Sequence, residues 1–491
     1  MTYAPNANWT TAVDASQQQP VYFIKITDKT DEDYSTHPVK AAGTTKTVLM
    51  NEPSGGSLSV DIIAGTRTSQ RVEVELLDVS GEITDLIATE AAAAPLAALI
   101  NRQVTVYGGY RSLDESDYPA IFTGRITGVQ MNGDLTGYVL TLTDLSHMLD
   151  ADIMLNATTD KPATIRGNVV NVYWALLTGT FSTTHSTFPL ASVSADAEPS
   201  EEGAEDGTSV PTGIGIDAAL INTAQLVSER DIWHPTDIVE VKFDDIENAK
   251  SHLSDELFRV FQCFPTISGD GLLGLKFHVP ALPAAAAPVI DTDHIVGVQS
   301  WERLYEDHLN KFTYMGDYDI QLDTYASLNV PETTEDTDDQ TATLETIEYL
   351  VESRWLHTEY DGVSIASELA GRQRIRYLKT PAVVDILVNF RKRNIEQGDV
   401  VALSHPQLPD LFTGSRGVSA RLMSVISIAP DFRRGLLKMR LLDTGYKRYG
   451  VIAPEAQAAF DTATDQEKNT FFFISNASGA MSDGSDGYRL I

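Results

Sequence analysis

Apolar and polar residues alternate along VYFIKITD (21–28), SLSVDIIAG (57–65) and RVEVELLDV (71–79). That period belongs to half-buried antiparallel strands. An Ala-rich segment, EAAAAPLAALI (90–100), predicts a short helix. NRQVTVYGGY (101–110), AIFTGRITGVQM (120–131), the turn NGDLTG (132–137) and YVLTLTD (138–144) then return to strands with tight Gly-containing turns. Residues 21–150 therefore read as a β unit, preceded by a polar arm over residues 1–20.

The texture changes after Asp150. ATIRGNVVNVYWALLTG carries apolar residues at helical spacing (Val169, Val172, Trp174, Leu176), and GIDAALINTAQLVSERD resumes that pattern. EVKF reads as a strand. In DDIENAKSHLSDELFRVFQ, Ile246, Ala249, Leu253, Leu257 and Val260 fall on one stripe of a capped amphipathic helix. CFPTISGDGLLGLKFHVP predicts a hairpin turning at Ser268–Gly271. Between these elements, 192–213 is acidic, rich in Ser, Gly and Pro, and poor in large apolar residues, which predicts an exposed loop. Residues 151–290 form an α+β unit in this reading.

After the connector ALPAAAAP, strand character returns in 291–447, with a helix at 362–378 and a second acidic loop at 330–342. The extension 448–491 holds a helix candidate (PEAQAAFDTATDQEKN), a strand (FFFIS) and a turn-rich end. The fold class expected is mixed and β-rich: two β-barrel units flanking an α+β unit, plus a small C-terminal extension.

The two β units align with each other. QVTVYGGY precedes YPAIFTG as DVVALSHPQ precedes LPDLFTG, so that Phe122, Thr123 and Gly124 match Phe412, Thr413 and Gly414. Arg125 with Ile126 and Val129 matches Arg421 with Leu422 and Val425. A turn follows each, and both closing strands end in aspartate, Asp144 and Asp443. This pattern predicts an internal duplication.

Composition narrows the function. Hydrophobic residues make up 42% of the 491, enough for sizeable cores. The 36 Lys and Arg against 69 Asp and Glu give a formal net charge of −33, a surface that repels nucleic-acid phosphates and anionic membranes without excluding a protein past which DNA slides. The lone Cys263 rules out an internal disulfide and a Cys-based metal site. The first twenty residues have neither a basic segment nor an apolar core, so no cleaved leader is expected. No apolar run of about 18 residues occurs, so no membrane span is expected either. A soluble protein assembled in a cytoplasm is the expectation.

Candidate chemistry is sparse. Asp399 and His405 stand six residues apart in NIEQGDVVALSHPQLPD, but no GxSxG is present and Cys263 falls in an apolar strand. Gly398-Asp399 reads better as the turn launching a strand that Pro406 and Pro409 end. The ten histidines are scattered, and HExxH is absent. Gly213-x-Gly215-x-x-Ala218 follows a Pro-containing acidic loop rather than a strand, which makes it a helix start and not a dinucleotide fingerprint. The acidic sets Asp28/Asp31/Asp33 and Asp336/Asp338/Asp339 lack the EF-hand register, and Asp483 and Asp486 read as a turn. Arg372/Arg374/Arg376 and Arg391/Lys392/Arg393 are either solvated faces or contacts with an acidic neighbour. No catalytic residue, metal or cofactor is expected.

The order YFIKITD, VEVELLDVSGEI, NRQVTVYGGY with AIFTGRITGV, ELFRVFQCFPTISGDGLLGLKF and NIEQGDVVALSHP…LLDTG resembles the hub proteins of tailed-bacteriophage baseplates and tail tips, over most of residues 20–450. The resemblance implies two tube-protein-like β-barrels per chain and a homotrimer. Three chains then make a pseudo-sixfold ring joining the sixfold tail tube to a threefold tip. It implies a non-enzymatic virion protein around the DNA exit channel, with the tail tube or distal tail ring, the tape-measure protein and the spike or fibre proteins as partners. DNA passes without specific binding. FFFIS…GYRLI would add a strand to a neighbour. The alternatives are a tail-tip cell-wall hydrolase, for which no paired acid/base motif stands out, and a host-carbohydrate-binding β protein, for which aromatic residues do not cluster.

Overall fold

The structure, a computed structural model, describes residues 20–153, 163–180, 213–278, 287–328 and 336–443, with breaks at 28–33, 42–43, 46–49, 62–65, 88–99, 244–245, 320–321, 378–379, 393–394, 411–413 and at single positions. It also describes strands at 196–198, 451–452, 471–474 and 488–490. The Ala-rich segment apart from Ile100, the N-terminal arm before Pro20 and the helix candidate of 454–469 lie outside the described residues.

The alternating segments form the strands they predict. In order they are β1 (Pro20–Ile26), β2 (Leu58–Asp61), β3 (Thr66–Arg67), β4 (Arg71–Leu77), β5 (Gln103–Tyr110), β6 (Ala120–Met131) and β7 (Gly137–Thr143). The first sheet runs β1-β5-β6-β7-β4, with Ser54–Gly55 at its edge. Val72, Val74 and Leu76 of β4 face inward while Arg71 and Glu73 face out, so the period of two in the sequence is the pleat of the sheet.

The α+β unit follows. β8 (Ala163–Asn168) pairs with β9 (Ile238–Phe243), and Asp196–Glu198 pairs along the other side of β8. That strand revises the loop expected over 192–213; the rest of that stretch lies outside the described residues, apart from Gly213. Helices α1 (Val169–Thr178) and α2 (Thr223–Trp233) are capped by the side chains of Asn168 and Asn222. A helix over 249–261, α3, is capped by Asn248 and widens into a π-turn at Ser254–Phe258. Ala249, Leu253, Leu257 and Val260 are buried as the stripe predicts, but Ile246 precedes the cap and is exposed. The hairpin β10 (Cys263–Ile267) and β11 (Leu273–Phe277) turns where expected, with Gly271 N donating to Ser268 O.

The rest of the chain runs β12 (Val289–Ile290), β13 (Ile295–Arg303), β14 (Lys311–Asp319), β15 (Thr324–Ser327), α4 (Thr337–Thr343), β16 (Glu348–Glu352), α5 (Gly362–Tyr377), β17 (Ala382–Asn389), β18 (Val400–Pro409), β19 (Arg416–Asp431) and β20 (Leu436–Asp443). The second sheet is ordered β12-β18-β19-β20-β17-β13. Half of the acidic segment 330–342 is thus helical, because Asp336 caps α4 by accepting from Asp339 N at 2.9 Å. β18 runs on through Pro406 and ends at Pro409, the second of the two prolines expected to end it; the ladder absorbs Pro406 with register shifts between Leu403, His405 and Pro409.

In each sheet a three-strand meander is flanked by the strand that precedes it in sequence: β5-β6-β7 by β4, and β18-β19-β20 by β17. The two sheets share one apolar cluster, in which Val74, Val106, Ile126 and Leu140 join Ile386, Val401, Val425 and Met439. β2, which lies between β1 and β4 in sequence, pairs with β19 of the second sheet (Ser59 with Ser427, Leu58 with Ile428). Tyr22 Oη donates to Phe432 O at 2.7 Å across the same junction. The segment from Leu309 to Tyr377 has its core side chains in another cluster than the two sheets. Its Phe312, Tyr314, Trp355, Leu356, Leu369 and Tyr377 belong to the core of the α+β unit, beside Tyr173, Leu253 and Leu275.

Candidate functional site

The turn before β18 carries the Asp399–His405 pair. Gly398 has φ +81°, and a Cβ there would lie 2.1 Å from Phe264 Cζ. The turn is glycine because it is pressed against β10 in a left-handed conformation. Asp399 Oδ2 accepts from Glu396 N at 2.7 Å, and its other oxygen pairs with Lys276 of β11. Burial works against the Lys276 ammonium, but Asp399, together with Glu396 and Glu229, outweighs it and raises its pKa. His405 lies along β18 and accepts through Nδ1 from Gln407 N at 3.3 Å. The structure brings Asp399 to Lys276 and not to His405, so the pair is a docking contact and not a catalytic dyad.

The densest polar network was not read from the sequence. Glu247, His252 and Glu256 come from the segment around α3, and Arg354 and Trp355 follow β16. Arg354 holds Glu247 with Nη1 and Nη2, both at 2.7 Å, and Glu256 with Nε at 2.9 Å. The indole Nε1 of Trp355 donates to His252 Nε2 at 3.2 Å. An indole nitrogen only donates, so His252 carries its proton on Nδ1 and gives it to Glu247 Oε2 at 2.7 Å. Burial alone raises the Glu247 pKa, but the hydrogen bonds from His252 and Arg354 win and bring it down to about 2. Both nitrogens of buried His252 are occupied, so it is not free to take a proton from a nucleophile. The network rims an open cleft of about 660 Å³ that also holds Tyr318 and Tyr325.

Thr380, His308 and Asp339 look like a hydroxyl–imidazole–carboxylate relay: His308 Nδ1 is 3.2 Å from Thr380 Oγ1, and Nε2 is 2.8 Å from Asp339 Oδ2. The hydroxyl and imidazole are buried, and Asp339 also accepts from Asn310 Nδ2 at 3.0 Å. The arrangement fastens α4 to the start of β14. Burial pushes the Cys263 thiol well above its ordinary range, with Glu229 adding to the effect, so that thiol is not activated.

The acidic and basic sets are largely spent inside the chain. Asp336 receives Arg374 at 3.0 Å, and Arg372 pairs with Glu368. Buried Arg376 donates to Gln262 Oε1 at 2.7 Å. The first basic set is therefore neither a solvated face nor free for an acidic neighbour. Among the described residues no group of three or more His, Cys, Asp or Glu is placed to hold a metal. Asp28, Asp31, Asp33, Arg393, Asp483 and Asp486 lie outside the described residues.

The repeat residues have distinct roles. Phe122, Thr123 and Gly124 lie within β6; Phe412 and Thr413 are outside the described residues, and Gly414 sits in the turn before β19 with φ +66°. Asp443 accepts from Arg421 Nε at 3.0 Å and Nη2 at 2.9 Å. Asp144 is not reached by Arg125, whose Nη1 donates to Asn101 O. Its partner is Arg67 of β3, Nη2 to Oδ2, at 2.9 Å. The ladders set Arg125 opposite Thr143 and Ser424 opposite Leu442. Counted from the closing aspartates, the two arginines are therefore offset along their strands.

At the C-terminal end, Phe471–Ile474 pairs with Val451–Ile452 and with Tyr488–Leu490 of the same chain. The segment expected to augment a neighbour is thus already a strand in an internal sheet. No helix among the described residues is long and apolar enough to cross a membrane.

No family model matches the sequence, and neither does any curated protein. Among solved structures the chain is similar to the 43 kDa tail protein of prophage MuSo2 from Shewanella oneidensis, at 10% identity and TM-score 0.40 over 87% of this chain and 97% of that one. It is also similar to a tail protein from Neisseria meningitidis MC58, at 11% identity and TM-score 0.42 over 87% and 98%. A third is the prophage tail protein gp18 from Listeria monocytogenes EGD-e, at 9% and 0.42 over 87% and 96%.

Proposed function

We propose that this chain is a structural protein of a phage tail tip, a central hub that works through its surfaces rather than through catalytic side chains. The observation that carries this reading is the pair of sheets with one strand order on a shared core, with β2 exchanged between them. An adaptor that presents six equivalent positions from three chains needs two similar units per chain, held at a fixed angle. A shared core and an exchanged strand supply that fixed angle. In this reading the duplicated β units form the ring, the α+β unit faces other tip proteins, and the tail tube or distal tail ring, the tape-measure protein and the spike or fibre are the partners.

The charge agrees with the same role. At a net charge of −33 the ring would repel DNA passing along its axis, so that contacts stay short-lived. The polar networks fit a non-enzymatic protein, because His252, His308 and Asp399 are each committed to holding one element against another.

The test is the mass of the purified protein in solution, followed by negative-stain images of assembled tails. A stable trimer that images as a ring with six lobes is the expected result. A chain that stays monomeric at high concentration and is missing from the tip of assembled tails overturns the proposal.

A further inference from the structure

A cavity of about 170 Å³ lies where the three units meet. Phe122 lines it from the first sheet, Arg67 from β3, Ser268 from the hairpin of the α+β unit, and Ile395, Glu396 and Phe432 from the second β unit. One water needs roughly 10–15 Å³ on this measure, and an engineered apolar cavity of roughly 150 Å³ holds benzene. The space therefore suits a small organic molecule.

Arg67 supplies the polar end. Its side chain is 2% exposed, and only Nη2 is engaged, on Asp144. Its Nε and Nη1 have no acceptor among the described residues. Asp144 has little left to offer, since it also accepts from Gln70 N, Ser146 N and Ser146 Oγ. A buried N–H left without an acceptor is destabilising, most of all on a charged group. An oxygen atom on an occupant would be a fitting acceptor for these N–H groups. On the opposite wall, burial, with Asp399 nearby, raises the Glu396 pKa.

We propose that this cavity binds a small molecule that presents a carbonyl or carboxylate oxygen to Arg67 and seats a compact apolar body against Phe122, Ile395 and Phe432. The occupant touches both sheets and the α+β hairpin, so it stabilises their junction as one body. The site does not depend on the hub reading.

The experiment is calorimetric titration and thermal unfolding of the full chain with benzoate, benzamide and toluene. Saturable one-to-one binding of benzoate, benzamide or both is expected, with a rise in Tm and toluene at least about tenfold weaker. Benzoate alone would identify an oxyanion site, and equal binding of benzamide a site for a neutral acceptor. Ala120→Phe, which fills the cavity from its lining and keeps the Arg67–Asp144 pair, is expected to abolish binding while leaving the circular dichroism spectrum unchanged. Arg67→Met should weaken benzoate and leave toluene unaffected. The proposal is overturned if neither oxygen-bearing probe binds up to roughly 10 mM, if toluene binds as well as they do, or if benzoate binds Ala120→Phe as it binds the parent.

Discussion

Arg67 Nη2 lies 2.9 Å from Asp144 Oδ2, with the two side chains 2% and 0% exposed. The pair ties β3, a two-residue strand, to the end of β7. Removing one member of a buried ion pair leaves the other charge uncompensated and typically costs about 3–5 kcal/mol. Asp144→Ala is expected to fall in that range by chemical denaturation, while Arg67→Met with Asp144→Leu together costs less than the sum of the single changes. An additive double mutant would show that the two charges do not interact.

The turn ahead of β18 gives a sharper backbone test. Gly398→Ala places a Cβ in left-handed backbone, at about 1–2 kcal/mol, and presses it into Phe264, where overpacking adds about 1–3 kcal/mol. The expected result is a chain whose β10–β11 hairpin detaches from the second β unit, read as faster amide exchange at Phe264 and Lys276. A Gly398→Ala variant with unchanged exchange and stability would refute this packing.

Asp399 and His405 should behave differently on substitution. Asp399→Asn removes the counter-ion of Lys276 and is expected to destabilise by about 1–3 kcal/mol. His405→Ala touches only a contact to Gln407 N and is expected to change stability by less than about 0.5 kcal/mol. Equal effects of the two changes on any measured property would revive the idea that they act as a pair.

Glu247 makes stability depend on acid. Its folded pKa, about 2, lies below the ordinary 4.5, so the unfolded chain binds the proton first. The stabilisation is complete above about pH 4.5 and is lost as pH falls toward 2, at most about 3 kcal/mol for a shift of this size. Glu247→Gln should flatten the acid limb of the curve between those values, at the cost of lower stability at neutral pH. An unchanged acid limb in that variant would mean that other carboxylates govern acid unfolding.

The strands were legible because a half-buried sheet writes its pleat into the sequence: Val72, Val74 and Leu76 alternate with Arg71, Glu73 and Glu75, and one face alone meets the core. The capped stripe of α3 was legible for the corresponding helical reason, although the cap at Asn248 leaves Ile246 outside it. The doubled order of strand, crossing, hairpin and closing strand was also present in the sequence, in the segments that became β5–β7 and β18–β20. What tertiary structure decided is where each charge goes. Arg67 rather than Arg125 reaches Asp144, Lys276 rather than His405 meets Asp399, and Arg354 closes on Glu247 and Glu256, because these partners lie far apart in sequence and have no local period. The exchange of β2 into the second sheet and the packing of the segment from Leu309 to Tyr377 into the α+β core are of the same kind. An apolar face records that it must be buried, but not against what.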